Sequence, residues 1–236
     1  GRKKIYLPRT SASDSHTADP SHADDATHSF PYADPVLNVV SCTSIGKVFG
    51  GGLGEGAVMY ADPTVNINMI PGAFASDDSK GVPFVMNEKG LSADDNPKKL
   101  GIIGDVYGGG NAADVIGSPT VNIGTAATVQ LHQSYSTTTG YVMSDPIPVE
   151  GAYINGNVFG GGKGIADSFL CDKAMVGVTD QGFGSTHVTI ENGTVNGSVY
   201  GGGQIGRVEH DTWVTIGKEG DETNSPVVKG DVFGTT

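Results

Sequence analysis

A short β-prone segment ending in Val, then Phe or Tyr, then glycine recurs five times along this chain. The copies are Val48-Phe49-Gly50-Gly51-Gly52, Val106-Tyr107-Gly108-Gly109-Gly110, Val158-Phe159-Gly160-Gly161-Gly162, Val199-Tyr200-Gly201-Gly202-Gly203 and Val232-Phe233-Gly234. An internal repeat of this size constrains the fold more than any other feature, because one unit cannot bury its apolar face alone and must stack on its copies.

The repeat has a second half, an alternating segment: Thr64-Val65-Asn66-Ile67, Thr120-Val121-Asn122-Ile123, His187-Val188-Thr189-Ile190 and Trp213-Val214-Thr215-Ile216. Alternation of β-branched apolar and polar residues predicts strands with one buried face, so the Val and Ile of each should point inward together. Between residues 186 and 203 the two halves join with only the turn signals Asn192-Gly193 and Asn196-Gly197 between them, which reads as one bare coil. The other repeats read as the same unit with insertions at about residues 68–101, 125–153 and 163–185. At the corners of such coils glycine is expected to supply positive φ and room for the neighbouring backbone.

These patterns predict an all-β fold, a right-handed parallel β-helix (β-solenoid) with loop insertions, and a β-sandwich as the alternative. Residues 1–35 read as an irregular leader or cap and 36–236 as the solenoid, stopping inside its fifth repeat, so that the native protein is expected to be longer. Glycine makes up 37 of 236 residues without a collagen-like period, which is compatible with a solenoid. No apolar stretch is long enough for a membrane-spanning helix, and no signal peptide is legible.

The net charge of −12, with arginine only at positions 2, 9 and 207, argues against nucleic acid and anionic membrane surfaces as partners. Cys42 and Cys171 have no metal-type spacing and read as buried thiols, with a disulfide as the alternative. In the leader, His16, His22 and His28 alternate with Asp14, Asp19, Asp24 and Asp25, ligand types that zinc accepts, but the spacing fits a solvated tail better than a metal site. The glycine runs lead into strands with no helical period, so they do not form a nucleotide loop, and only residues 108–116 distantly resemble a calcium-binding nonapeptide. No metal or cofactor is expected.

The Val-Phe/Tyr-Gly-Gly-Gly and Thr-Val-x-Ile motifs, over residues 45–236, resemble those of the large repeat proteins exported to the cell surface by Bacteroidetes-type gut and oral bacteria. The resemblance implies an adhesin-like β-solenoid, at the cell surface or secreted, with glycans or host surface proteins as partners. It carries over no functional residues.

A catalytic reading rests on carboxylate pairs. Asp77-Asp78 and Asp94-Asp95 are adjacent and read as acidic loop tips, whereas Glu209 and Asp211, near Arg207, would share a strand face that reads as solvated. A β-helix carbohydrate-active enzyme and a structural spacer are therefore the alternatives to a non-catalytic adhesive segment.

The repeated aromatics Phe49, Tyr107, Phe159, Tyr200 and Phe233 should form a ladder with steps of about 4.8 Å. A core stack is the favoured placement, and an exposed strip that would let Tyr107 and Tyr200 stack on sugars is the alternative. Trp213 and His187 occupy the outward position held by Thr64 and Thr120, and form a candidate binding patch. Packing of Trp213 beneath a neighbouring loop is the expectation against which that patch is weighed.

Overall fold

The computed structural model describes residues 34–42, 44–70, 101–149, 151–166, 172–177 and 184–235. These residues form no helix, and their strands pair mostly in parallel. In chain order the strands are β1 (Val36–Val39), β2 (Ser44–Phe49), β3 (Thr64–Ile67), β4 (Ile102–Tyr107), β5 (Thr120–Ile123), β6 (Thr128–Val129), β7 (His132–Ser136), β8 (Gly140–Met143) and β9 (Ile147–Pro148). They continue with β10 (Tyr153–Ile154), β11 (Val158–Phe159), β12 (Thr186–Ile190), β13 (Thr194–Val195), β14 (Val199–Tyr200), β15 (Thr212–Ile216), β16 (Val227–Val228) and β17 (Val232–Phe233).

Equivalent positions of successive repeats pair with one another. The Thr-Val-x-Ile segments make a five-stranded sheet in the order β1-β3-β5-β12-β15, with Val65 opposite Val121, Val121 opposite Val188 and Val188 opposite Val214. The five Val-aromatic segments, with β10, β13 and β16, make an eight-stranded sheet in which Val48, Val106, Val158, Val199 and Val232 form one row. A third line of parallel bridges joins Met59, Val115, Val176 and Val208.

Alternation places the core. Val65, Ile67, Val121, Ile123 and Ile190 of the first sheet and Ile103, Val106, Ile154, Val158, Val195 and Val199 of the second are fully buried, and they belong to one packed cluster. Removing each such side chain from water contributes about 1.5–3 kcal/mol. In the last repeat the same rows open to solvent: Ile216 is 40% exposed, against none for Ile190. Val227, Val232 and Phe233 are exposed as well, because no described strand lies beyond them.

The glycine runs correct one expectation. None of the described glycines in them adopts positive φ; the first two of a run are kept from bearing a side chain by the next repeat, and the third by the turn that follows it. A Cβ on Gly108 would lie 2.2 Å from the carbonyl oxygen of Gly160, and one on Gly160 would lie 2.3 Å from that of Gly201. The backbones are this close because they are hydrogen-bonded, Gly108 N–H to Phe159 O and Gly160 N–H to Tyr200 O, each at 2.9 Å. Positive φ occurs instead at turns such as Asn192-Gly193, where Gly193 has φ +103°.

Within the insertion after β5, β6 pairs antiparallel with β9 and β7 with β8. Residues 1–33 of the leader, with its histidines and Asp14, Asp19, Asp24 and Asp25, as well as Asp77-Asp78, Asp94-Asp95 and Cys171, lie outside the described residues. Cys42 is half-buried and free among the described residues; the disulfide alternative needs Cys171, which lies outside them.

Candidate binding surface

The outward face of the five-stranded sheet is lined by two polar rows, because every second residue of its strands points away from the core. One row runs Thr64, Thr120, His187, Trp213 and the other Asn38, Asn66, Asn122, Thr189, Thr215. Asn66 Nδ2 donates to Asn38 Oδ1 and Asn122 Nδ2 to Asn66 Oδ1, each at 3.0 Å, so the carboxamides chain across three strands. At the other end His187 and Trp213 lie in parallel planes with ring centroids 6.2 Å apart. Trp213 is 57% exposed rather than packed under a loop, and His187 is exposed beside it.

The aromatic ladder stands elsewhere. Phe49, Tyr107, Phe159, Tyr200 and Phe233 stack at centroid separations of 4.7–4.9 Å and nearly parallel. Tyr107 is fully buried and Phe159 nearly so, yet neither ring belongs to the cluster that holds Val106 and Val158. The rings form a second packed column on the opposite side of the strand, with the Lys47 ammonium 5.7 Å from the Tyr107 centroid. Tyr107 Oη donates to Gln204 Oε1 at 2.7 Å, from the turn after a glycine run two repeats on. Burial first, and then the Asp105 carboxylate, push the Tyr107 phenol well above the usual tyrosine range. Tyr107 therefore offers no face to a ligand, while Tyr200 is half-buried.

Beside the ring column runs the row Lys47, Asp105, Asn157, Ser198, Asp231, which ties the repeats together. Asp105 Oδ1 accepts the Asn157 N–H at 3.0 Å, Asn157 Oδ1 the Ser198 N–H at 2.8 Å and Ser198 Oγ the Asp231 N–H at 3.0 Å. Burial alone would raise the Asp105 carboxyl, but the Asn157 N–H and the Lys47 ammonium hold it below the usual range. A second row does the same before the first sheet: Asp34 binds the Asp62 N–H at 2.9 Å, Asp62 the Ser118 N–H at 2.8 Å and Ser118 the Ser185 N–H at 3.2 Å. In sequence the first row reads only as a variable polar position that points outward; its bonding from repeat to repeat, and the second row, are signalled by an Asp, Asn or Ser recurring just before Val-aromatic-Gly and just before the Thr-Val-x-Ile strands.

Of the candidate carboxylates, the described pair Glu209 and Asp211 each have a basic neighbour of their own. Glu209 pairs with Arg207, and Asp211 lies 3.2 Å from His210 Nδ1. Among the described residues no three His, Cys, Asp or Glu side chains cluster as a metal would require, and no helix is long and apolar enough to cross a membrane. No family model, curated protein or solved structure matches the chain.

Proposed function

We propose that this chain is a segment of a right-handed parallel β-solenoid in an adhesin-like bacterial protein, at the cell surface or secreted, and that it binds glycans without turning them over. In-register parallel rows running through every repeat support the solenoid, and the preference of parallel β-strand crossovers for the right hand supports its handedness.

The observation that carries the binding reading is the exposed His187–Trp213 pair on a polar sheet face. A flat aromatic surface packs against the C–H face of a sugar ring, while Thr120, Thr189 and Thr215 on the same face offer hydroxyls to its edge. A solvent-exposed aromatic pair in an acidic chain favours an uncharged ligand over a phosphate backbone.

Retention of the chain on immobilised glycans tests the reading. The wild-type chain should be retained with no release of reducing ends, and Trp213→Ala should be retained several-fold less at unchanged melting temperature. Release of reducing ends would support an enzyme, and absence of retention by any glycan would leave a spacer.

A further inference from the structure

We infer that the groove between the asparagine row and the insertion after β5 is a subsite for an uncharged, polyhydroxylated ligand, a neutral oligosaccharide. This rests on the reading of the outward sheet face as glycan-binding, and adds a site at the end of that face away from Trp213.

The groove is open to solvent and offers about 560 Å³, within the range of small-ligand sites. Its lining divides by chemistry. Asn38, Asn66, Asn68 and Gln130 contribute carboxamides, and Val40, Val129 and Leu131 contribute an apolar wall. Among the described residues no ionisable side chain lines the groove, although the chain as a whole carries a net charge of −12. These residues offer an anionic or cationic ligand no counter-charge, whereas a neutral sugar needs none.

Carboxamides suit such a ligand because each carries two N–H donors and an oxygen with two lone pairs. The asparagine row uses one donor and one lone pair of Asn66 and only the oxygen of Asn38, which leaves both kinds of group to meet hydroxyls. The valine and leucine side chains opposite can cover the C–H surface of the same ring.

The wall is held in place before any ligand arrives. Asn68 Oδ1 accepts the Ala126 N–H at 3.0 Å, pinning the start of the insertion to the sheet. Gln130 Nε2 donates to the Ser144 carbonyl at 2.8 Å, and the buried Ser144 hydroxyl accepts the Leu131 N–H at 2.9 Å. A groove so braced loses little entropy on binding.

The test is a titration of the intact chain, followed by amide chemical shifts, with neutral gluco-, galacto- and manno-hexasaccharides and with an oligogalacturonate as the charged counterpart. A neutral hexasaccharide should shift the side-chain amides of Asn38, Asn66 and Gln130. Asn38→Asp, isosteric at an exposed position, should weaken it about tenfold without moving the melting temperature, and Val129→Trp, which fills the groove, should do likewise. Trp213→Ala is run in parallel. Binding lost in the groove variants but kept in Trp213→Ala supports the subsite and removes the aromatic pair from it. Binding lost in Trp213→Ala and unchanged in both groove variants overturns the subsite while the glycan-binding reading stands. Absence of shifts at the three amides with every neutral sugar, or preference for oligogalacturonate, also overturns it.

Discussion

Asn157 Oδ1 accepts the backbone N–H of Ser198 at 2.8 Å, while the N–H of Asn157 is itself bound by Asp105 Oδ1 at 3.0 Å. Asp105, Asn157 and Ser198 thus each satisfy a backbone donor in the next repeat, so the side chain at these positions must be a short acceptor. Lys47, in the first described repeat, instead pairs through its ammonium with the Asp105 carboxylate.

Asn157→Leu is expected to destabilise the chain by about 1–3 kcal/mol, because it leaves the Ser198 N–H without its partner. Asn157→Ser, which restores the kind of acceptor that Ser198 presents to Asp231, should lose less than half as much. Urea denaturation of the three proteins checks the order.

The glycines separate into those packed against backbone and those that are not. Gly108→Ala places a methyl 2.2 Å from a carbonyl oxygen and should destabilise by about 1–3 kcal/mol or more. Gly46→Ala meets nothing within 4 Å and should stay within about 0.5 kcal/mol of wild type. Equal losses in thermal denaturation would refute the close-approach explanation of the glycine run.

Tyr107 fixes an alkaline limit. Its phenol is raised in the folded chain by burial and by Asp105, so the folded state holds its proton where an unfolded tyrosine, at about 10, gives it up. The associated stability is present below about pH 10 and declines as pH rises above it. Denaturation midpoints should fall more steeply above pH 10 for wild type than for Tyr107→Phe, and parallel slopes would contradict this. Tyr107→Ala, at any pH, should lose about 3–5 kcal/mol.

Burial pushes the Cys42 thiol up to about 11. In a Cys171→Ser background, alkylation by iodoacetamide at pH 8 should be much slower than that of a small free thiol, with its rate still climbing toward pH 11. A rate that levels off near pH 8.5 would contradict the burial.

How much of this was legible in the sequence depends on the distance between partners. The rows of Val65, Val121 and Val188, or of Val106, Val158 and Val199, follow from local alternation repeated with spacing, so the inward faces and their pairing could be read directly. The reason for the glycines could not, because it lies in how near Gly108 comes to Gly160 rather than in the local backbone. Lys47, Asp105, Asn157, Ser198 and Asp231 look like a variable surface position until their partners, a full repeat away, are known. Tyr107 is buried with its hydroxyl on Gln204, 97 residues further on, so no local pattern decides between core and surface. The groove escaped for a related reason: Asn66 sits in the motif, but Asn38 precedes its first copy and Val129, Gln130 and Leu131 come from an insertion with no repeat pattern.

The central claim is that equivalent residues of successive repeats stack in parallel register, and scalar couplings across hydrogen bonds measure it most directly. The account predicts couplings from the Gly108 nitrogen to the Phe159 carbonyl carbon and from the Gly160 nitrogen to the Tyr200 carbonyl carbon. Couplings that instead link the Val-aromatic strands to antiparallel partners, as in a β-sandwich, would contradict it.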